Sequence, residues 1–196
     1  MKQKIWMLPD KSDFLRQRTT KLKTIGSQAR QLAEDFFDTW DTVAAYGIAA
    51  PQIGSSLRSF IWKGKDMEAP EVIYNPKIIR AYGELKDYDG CLSVPGVYCP
   101  TRRAEVVELT GLDAEGRPIR RKYEGFDARI IQHEVDHLDG VLFIDRIDDL
   151  SEAYTLKEGP EDEEGDVTYI QVPDDEEIKA WVERFRRPLP GYALVW

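Results

Sequence analysis

The stretch Gln132-His133-Glu134-Val135-Asp136-His137-Leu138 predicts both the centre of the fold and its chemistry. A helix advances about 100° per residue, so His133 and His137 lie one turn apart on the same face. Two imidazoles in this arrangement can share one divalent metal ion, and Glu134 beside them can hold a water molecule and move its protons. The chain has only 2 histidines, and both fall in this motif. This favours a metal site over two hydrogen-bonded core histidines.

The motif lies in a segment with the apolar spacing of a buried helix. One face carries residues at steps of four, three and four: Phe126, Ile130, His133 and His137. A second face carries three aliphatic residues: Ile131, Val135 and Leu138. A helix that is apolar on two faces is typically central and buried. We therefore predict a central helix over residues 126–138 that ends at Asp139-Gly140.

A third metal ligand must come from elsewhere in the chain, because catalytic sites of the zinc type usually have three protein ligands. We favour Cys91, within Asp89-Gly90-Cys91-Leu92-Ser93, since a thiolate binds iron, zinc, cobalt and nickel well. In this setting Leu92 would offer its backbone N–H beside the metal. Three acidic residues remain alternative ligands: Asp139, Glu152 and Glu158. Cys99 has no comparable setting and is interpreted as a buried structural residue.

The stretch Gly47-Ile48-Ala49-Ala50-Pro51-Gln52-Ile53-Gly54 is the third candidate element. Its small residues allow close approach of the backbone. Gln52 could donate an amide N–H to an oxygen that develops negative charge. Taken alone, this stretch is a weak signal, since glycine and alanine before a strand usually mark a tight turn.

Other segments give a coarse secondary structure. A helix should begin with Ser27 as its N-cap and end near Tyr46-Gly47. Strands are expected at 57–62, 72–74 (closed by Asn75-Pro76), 104–109, 119–123 and 167–172, and the pair 104–109/119–123 reads as a hairpin. A last helix should be capped by Asp174 or Asp175. The acidic run 157–166 is interpreted as a solvated loop, and the apolar tail 188–196 is expected to dock.

Composition restricts the classes of function. The formal charge of −9 argues against direct binding of nucleic acid, which needs a basic face. No apolar run is long enough to span a membrane, and the amino terminus lacks the apolar core of a signal peptide. The 2 cysteines cannot build a disulfide framework. We expect a soluble, cytoplasmic protein.

Taken together, the motifs resemble those of the peptide deformylase family. That family carries Gly-x-Gly-apolar-Ala-Ala-x-Gln, Glu-Gly-Cys-Leu-Ser and Gln-His-Glu-x-x-Asp-His-Leu in this order. The corresponding stretches here begin at Ala45, Asp89 and Gln132, and the match covers about residues 5–150. Ala45 and Asp89 depart from the pattern. The resemblance implies that the acid at 89 pairs with Arg103 or Arg102, and aspartate, being one methylene shorter, should hold this support more loosely.

The resemblance implies an α+β fold, with mixed, largely antiparallel sheets around the central helix. It implies a catalytic domain at 1–150, with 151–196 as a carboxy-terminal extension (acidic loop, strand, short helix and apolar tail) packed on the same domain. The implied activity is metal-dependent removal of the N-formyl group from the first methionine of new polypeptides. Its partners would be N-formylmethionyl nascent peptides, and it could associate transiently with ribosomes. Direct binding to nucleic acid or to a membrane is not expected.

The resemblance also assigns roles to individual residues. It implies one Fe²⁺ per chain, replaceable by zinc, nickel or cobalt, held by Cys91, His133 and His137. Glu134 would move protons, while Gln52 and the Leu92 N–H would stabilise the oxyanion. Gly47 would bind the peptide backbone, and the methionine pocket would be lined by Tyr46, Phe126, Ile130 and His133.

Two other classes of function remain open. A His-Glu-x-x-His zinc endopeptidase would use a carboxylate or histidine as its third ligand and would not need Cys91. A non-catalytic, deformylase-like binding module would have a metal site that is empty or blocked by the tail.

Overall fold

Two antiparallel sheets and one buried helix form the framework of the protein. The computed structural model describes residues 1–161, 167–173 and 175–189, apart from the side chains of residues 161 and 167. The helices are α1 (Ser12–Leu15), α2 (Ser27–Trp40), α3 (Gly125–Leu138) and α4 (Glu176–Phe185). The strands are β1 (Gly47–Ala49), β2 (Ser59–Trp62), β3 (Glu71–Tyr82), β4 (Leu85–Cys91), β5 (Val94–Arg103), β6 (Val106–Leu112), β7 (Pro118–Glu124), β8 (Tyr154–Glu161) and β9 (Val167–Pro173). Short 3-10 turns lie at Ala50–Ile53, Phe143–Arg146 and Leu150–Glu152.

The strands form a five-stranded sheet, in the order β1-β2-β3-β6-β7, and a four-stranded sheet, in the order β4-β5-β8-β9. Neighbouring strands in both sheets are antiparallel. The predicted α+β fold with antiparallel sheets around a central helix is confirmed. The predicted hairpin is also confirmed, since β6 and β7 pair with Val107 opposite Tyr123.

Helix α3 packs its apolar faces against the five-stranded sheet. Its buried apolar residues share one core cluster with side chains from that sheet: Ala128, Ile130, Ile131, Val135 and Leu138. Gln132 attaches the helix to the connection between β5 and β6, because its side-chain amide exchanges two hydrogen bonds of 2.9 Å with the backbone of Ala104. The helix ends at Leu138, two residues before Gly140, whose φ of +74° is a conformation that glycine adopts at little cost. The predicted range of 126–138 is correct to within one residue.

Strand β3 differs from the prediction. It was expected to close at Asn75-Pro76, but it runs on to Tyr82. A register shift between Tyr74 and Lys77 produces a bulge, which accommodates Pro76 without breaking the pairing with β6. Asn75 adopts a φ of +50°, and its side chain bonds the backbone N–H and carbonyl of Leu22 at 2.8 Å each.

The predicted limits of α2 are also wrong. Gly26 is the N-cap, and Ser27 is the first helical residue. The helix ends at Trp40 because Thr42 and Val43 bond back to Thr39 and Trp40 with turn geometry. This turn delivers the chain to β1 at Gly47.

Beyond residue 150, the chain joins the four-stranded sheet. Strand β8 meets β5 with Tyr154 opposite Tyr98. Residues 157–161 therefore lie in a strand and not in the predicted loop, whereas 162–166 lie outside the described residues. Asp175 caps α4 through the N–H groups of Glu177 and Ile178, and Val182 is fully buried. The predicted strand near 167–172 is confirmed as β9.

Tail residues 190–196 lie outside the described residues, so the predicted docking of the tail stays a prediction. The division of the chain at residue 150 likewise stays a prediction. Among the helices of the described ranges, none combines the length and apolar character that crossing a membrane requires.

Candidate metal centre and active site

The candidate metal centre lies where β4 ends against α3. The ligand atoms of Cys91, His133 and His137 lie within 4.8 Å of one another. Cys91 Sγ is 3.2 Å from Nε2 of His137. The four-stranded sheet supplies the thiol, while the helix packed on the other sheet supplies both imidazoles. The favoured third ligand is therefore brought to the histidine pair.

The acidic alternatives lie elsewhere and have other partners. Asp139 Oδ1 is 2.9 Å from Nη1 of Arg58. Glu152 Oε1 is 2.6 Å from Nζ of Lys86. Glu158 belongs to β8, where it pairs with Tyr169. None of these three joins the described cluster of Cys91 and the two histidines.

Asp89 fixes the orientation of His133. Its Oδ1 lies 2.9 Å from Nδ1 of His133, which leaves Nε2 free to face the metal centre. Its Oδ2 accepts hydrogen bonds from Arg103 and from the Thr101 hydroxyl, at 2.8 and 2.9 Å. Burial disfavours the charged carboxylate, but the Arg103 guanidinium holds the pKa of Asp89 well below its usual value. Arg103 is thus the partner of Asp89, and the shorter side chain still has both oxygens bonded.

Asp136 is a supporting residue that the sequence analysis did not assign. Its carboxylate lies 2.7 Å from Nη1 of Arg103 and 2.6 Å from Nη2 of Arg146. Despite complete burial, the carboxylates of Asp89 and Asp136 raise the pKa of Arg103. The sequence signal for it was its position immediately before His137, within the motif Gln-His-Glu-x-x-Asp-His-Leu quoted above. This network connects α3 to β4 and β5 behind the metal ligands.

Glu134 has the environment of a group that exchanges protons. Its side chain is 3% exposed, and Oε2 has no hydrogen-bond partner among the described residues. Burial raises the pKa of Glu134 to about 7. The carboxyl group occupies the space next to Gly47, since a Cβ atom there would lie 2.5 Å from Cδ of Glu134. Gly47 thus has a packing reason to lack a side chain.

Gln52 directs its amide nitrogen at the same centre. Its Oε1 accepts a hydrogen bond of 2.8 Å from the Ala49 N–H, which fixes the orientation of the amide. Its Nε2 lies 3.2 Å from Oγ of Ser93 and 3.6 Å from Sγ of Cys91. Leu92 lies between these two residues, in the turn that joins β4 to β5.

A cavity of about 620 Å³ opens above the centre. All but one of the predicted site residues line it: Tyr46, Gly47, Gln52, Cys91, Leu92, Phe126, Ile130, His133 and Glu134. The remaining one is His137, which is buried behind Cys91. The rings of Tyr46 and Phe126 meet edge to face at 4.8 Å on the rim, where they are 59% and 41% exposed.

The cavity also includes residues that the sequence analysis missed: Ile5, Met7, Tyr88, Tyr98 and Arg129. The amino-terminal segment reaches the site through two backbone hydrogen bonds. The N–H of Trp6 donates to the carbonyl of Gln52 at 2.7 Å, and that of Leu8 to the carbonyl of Ser93 at 2.9 Å. No local pattern in the sequence signals these contacts.

The residues fit a divalent transition metal. One thiolate and two imidazoles form a donor set that suits zinc, iron, nickel and cobalt. Glu134 lines the same cavity as Cys91 and His133, and its Oε2 has no hydrogen-bond partner among the described residues, so a bound metal would supply a Lewis acid beside a carboxyl oxygen that can exchange protons. The chemistry available here is metal-assisted hydrolysis.

Comparisons with known proteins agree with this geometry. The family model for polypeptide deformylase matches residues 2–153. A peptide deformylase from Dictyoglomus thermophilum is 43% identical over 133 residues, which cover 68% of this chain and 86% of that protein. A peptide deformylase from Thermomicrobium roseum is 40% identical over 158 residues, which cover 76% of this chain and 88% of that protein.

Solved structures agree as well. The crystal structure of a peptide deformylase from Legionella pneumophila shares 40% identity with a TM-score of 0.71, covering 76% of this chain and 88% of that one. The crystal structure of a peptide deformylase from Synechococcus elongatus in complex with actinonin shares 38% identity with a TM-score of 0.69, and the match covers 75% of this chain and 79% of that one. With its Cys-His-His cluster and a family match over most of its length, this chain belongs to the polypeptide deformylase family.

Proposed function

We propose that this protein holds one Fe²⁺ ion through Cys91, His133 and His137 and acts on N-formylmethionyl nascent peptides. As a peptide deformylase, it is a metal-dependent hydrolase that removes the N-formyl group from new polypeptides. One observation carries the site assignment: the three ligand atoms converge within 4.8 Å at the base of a cavity that also contains Glu134.

The two imidazoles would bind the metal through Nε2. Asp89 occupies Nδ1 of His133, and Nε2 of His137 faces the Cys91 sulfur. When bound, the metal supplies a Lewis acid that polarises a carbonyl and lowers the pKa of water. The donor set accepts Fe²⁺, zinc, nickel and cobalt, and the resemblance to the family favours iron.

Glu134 is proposed as the group that moves protons. A carboxyl with a pKa near neutrality can both accept and donate a proton at working pH. Its free Oε2 would take a proton from the attacking water and then deliver one to the nitrogen of the leaving amine.

Gln52 and Leu92 are proposed to stabilise the oxygen that gains negative charge. The amide of Gln52 is fixed by the Ala49 N–H, so its Nε2 is oriented before substrate binds. The backbone N–H of Leu92, beside Cys91, would be the second donor. Hydrogen bonds to a developing charge in a site without bulk water contribute more than the same bonds in water.

The methionine side chain is proposed to bind among Tyr46, Phe126, Ile130 and His133, with the peptide backbone along Gly47. All four residues line the cavity, and the rings of Tyr46 and Phe126 contact each other. We assign 1–150 as the catalytic domain and 151–196 as an extension on the same domain, supported by the β5–β8 pairing and the buried Val182. We further propose a cytoplasmic protein in transient contact with ribosomes, without direct nucleic-acid binding.

The test is release of formate from formyl-Met-Ala-Ala by protein loaded anaerobically with Fe²⁺, beside the unformylated peptide. We expect formate from the first peptide and no cleavage of the second. Cleavage of internal peptide bonds, with activity retained in Cys91→Ala, would indicate an endopeptidase. Binding of the formylated peptide without formate release would indicate a binding module.

The identity of the metal has a separate test. A thiolate beside Fe²⁺ is open to oxidation, so the iron form should lose activity in air faster than the nickel or zinc forms. Equal lifetimes in air would contradict the assignment of iron.

A further inference from the structure

Three tyrosines from three strands form a cluster beside the cavity: Tyr88 on β4, Tyr98 on β5 and Tyr154 on β8. The rings of Tyr98 and Tyr154 are stacked, with centroids 5.2 Å apart and planes inclined by 11°. The ring of Tyr88 meets Tyr154 at 5.2 Å and 60°. Tyr88 and Tyr98 line the cavity, whereas Tyr154 does not line it and contacts both of their rings.

The register of the strands puts the tyrosine cluster next to the metal ligands. Tyr98 pairs with Gly90 on one side and with Tyr154 on the other. Its ring covers Gly90, since a Cβ atom on that glycine would lie 2.7 Å from Cδ1 of Tyr98. Because Gly90 immediately precedes Cys91, the cluster adjoins the position where a substrate would react.

Tyr88 has a fixed backbone and an available ring. Its carbonyl accepts a hydrogen bond of 3.2 Å from Nε of the buried Arg129. Its side chain is nevertheless 51% exposed. Tyr154 therefore contacts two rings that line the cavity: it stacks on Tyr98, and it meets the half-exposed ring of Tyr88.

We infer that Tyr154 is a positioning residue for substrate selection. By stacking on Tyr98 and contacting Tyr88, it fixes an aromatic wall that receives a large apolar or aromatic side chain from a residue following formylmethionine. Tyr154 is the first residue after the region that the family model matches, 2–153, so the carboxy-terminal extension takes part in selecting substrates. The inference rests on the proposed function.

The chemistry of the rings determines the ligand class. Aromatic side chains pair with other rings edge to face or offset, in addition to burying apolar area. Removal of the Tyr154 ring leaves Tyr98 without its stacking partner, so the wall loses its fixed shape. The effect should appear as weaker discrimination between peptides rather than as loss of the chemical step.

The experiment compares kcat/KM for formyl-Met-Ala-Ala, formyl-Met-Phe-Ala and formyl-Met-Ala-Phe with the full-length, metal-loaded enzyme. The ratio of kcat/KM for a phenylalanine peptide to kcat/KM for the alanine peptide does not depend on the fraction of active enzyme. We expect wild type to favour phenylalanine at one of the two positions. Tyr154→Ala should reduce that ratio by about 2- to 10-fold, the size of one aromatic pair, mainly through KM.

Three further variants sharpen the test. Tyr154→Phe keeps the stacked ring and should keep the ratio. Tyr169→Ala removes a 64% exposed tyrosine of β9, in the same extension, and should also keep it. Tyr88→Ala, at the half-exposed ring, should reduce the ratio even if Tyr154→Ala fails to fold.

An unchanged ratio in Tyr154→Ala or in Tyr88→Ala would overturn the inference. So would an equal loss on all three peptides, which would make Tyr154 merely structural. Absence of formate release from every peptide would contradict the proposed function itself. Release from the alanine peptide with no preference for phenylalanine would contradict this inference alone.

Discussion

The Oδ1 atom of Asp89 lies 2.9 Å from Nδ1 of His133, so a carboxylate at the end of β4 orients an imidazole on α3. The other oxygen of the same carboxylate binds Arg103, which also binds Asp136 on α3. The buried Arg103 thus fixes Asp89, which in turn fixes His133. This chain of contacts connects β4 and β5 of the four-stranded sheet to helix α3 at the metal centre.

The first prediction concerns Asp89→Asn. The substitution removes one of the two charges that compensate the buried Arg103, and it weakens the orientation of His133. Loss of one partner of a buried ion pair typically costs roughly 3–5 kcal/mol in the free energy of unfolding. Loss of a partner behind a metal-binding histidine lowers metal affinity about 10- to 100-fold. Urea unfolding and metal titration measure the two effects.

The matched control is Asp89→Glu, which restores the family's residue at this position and keeps the charge. It should retain metal and unfold close to wild type. If Asp89→Asn also behaves like wild type in both measurements, the contact between Asp89 and His133 does not support the site.

A second prediction follows from Gly47. A methyl group there would overlap the Glu134 carboxyl, so Gly47→Ala should displace Glu134 and lower kcat at least about tenfold, within the range for acid–base groups. Metal content should stay stoichiometric because the ligands are untouched. Gly26→Ala is the control, since its Cβ would meet only Oγ1 of Thr24 at 3.8 Å. Full activity in Gly47→Ala would show that Glu134 can work from another position.

Glu134→Gln provides the third prediction. The amide keeps the shape of the side chain but cannot accept a proton at neutral pH. The variant should keep its metal and lose rate on the order of 10²- to 10⁴-fold, as measured by formate release and by metal analysis. Loss of metal together with rate would instead make Glu134 a ligand.

Removal of the metal gives the fourth prediction. Cys91 belongs to the four-stranded sheet, whereas both histidines lie on a helix packed against the other sheet, so a bound metal joins the two layers. At metal concentrations 1,000-fold above Kd, binding stabilises the folded state by about 4 kcal/mol. A chelator should therefore lower Tm by roughly 8–16 °C for a chain of this size.

Cys91→Ala is the control for this measurement, because it leaves only two ligands. Its Tm should be low with or without chelator. If the chelator does not change the Tm of the wild-type protein, the metal does not connect the four-stranded sheet to helix α3.

The fifth prediction separates the two cysteines. Burial raises the pKa of Cys99 to about 12, so its reactive thiolate is scarce near neutral pH. Cys91 is only half-buried and lines the cavity. In metal-free protein, an alkylating reagent should modify Cys91 and leave Cys99 intact, as peptide mass spectrometry would show. Loading with zinc should protect Cys91, and equally fast labelling of Cys99 would contradict its burial.

Local signals in the sequence were sufficient for the centre of the site. The spacing of apolar residues around His133 predicted α3 to within one residue, because helix periodicity depends only on near neighbours. Glycine and cysteine in the stretch at 89–93 pointed to Cys91, which lies with the two histidines in the structure, and its role as a metal ligand stays a prediction.

Contacts between distant segments were not predictable in this way. β3 continues past Pro76 because pairing with β6 tolerates a bulge, and no local pattern of apolar residues shows it. Ile5 and Met7 reach the cavity because the residues that follow them, Trp6 and Leu8, donate backbone hydrogen bonds to Gln52 and Ser93. Tyr154 meets Tyr88 only once β8 has joined β5, at a sequence separation that local patterns do not cover.

The pairing of β5 with β8 has a consequence for the synthesis of the protein itself. Translation delivers the strands in chain order, so the outer edge of β5 stays open until the residues from Tyr154 onward leave the ribosome. An open strand edge is a template for pairing with other chains. An enzyme that processes newly made chains is thus itself, late in its own synthesis, a nascent chain with an unprotected strand edge. When β8 pairs with β5, it covers this edge and removes a site at which other chains could add.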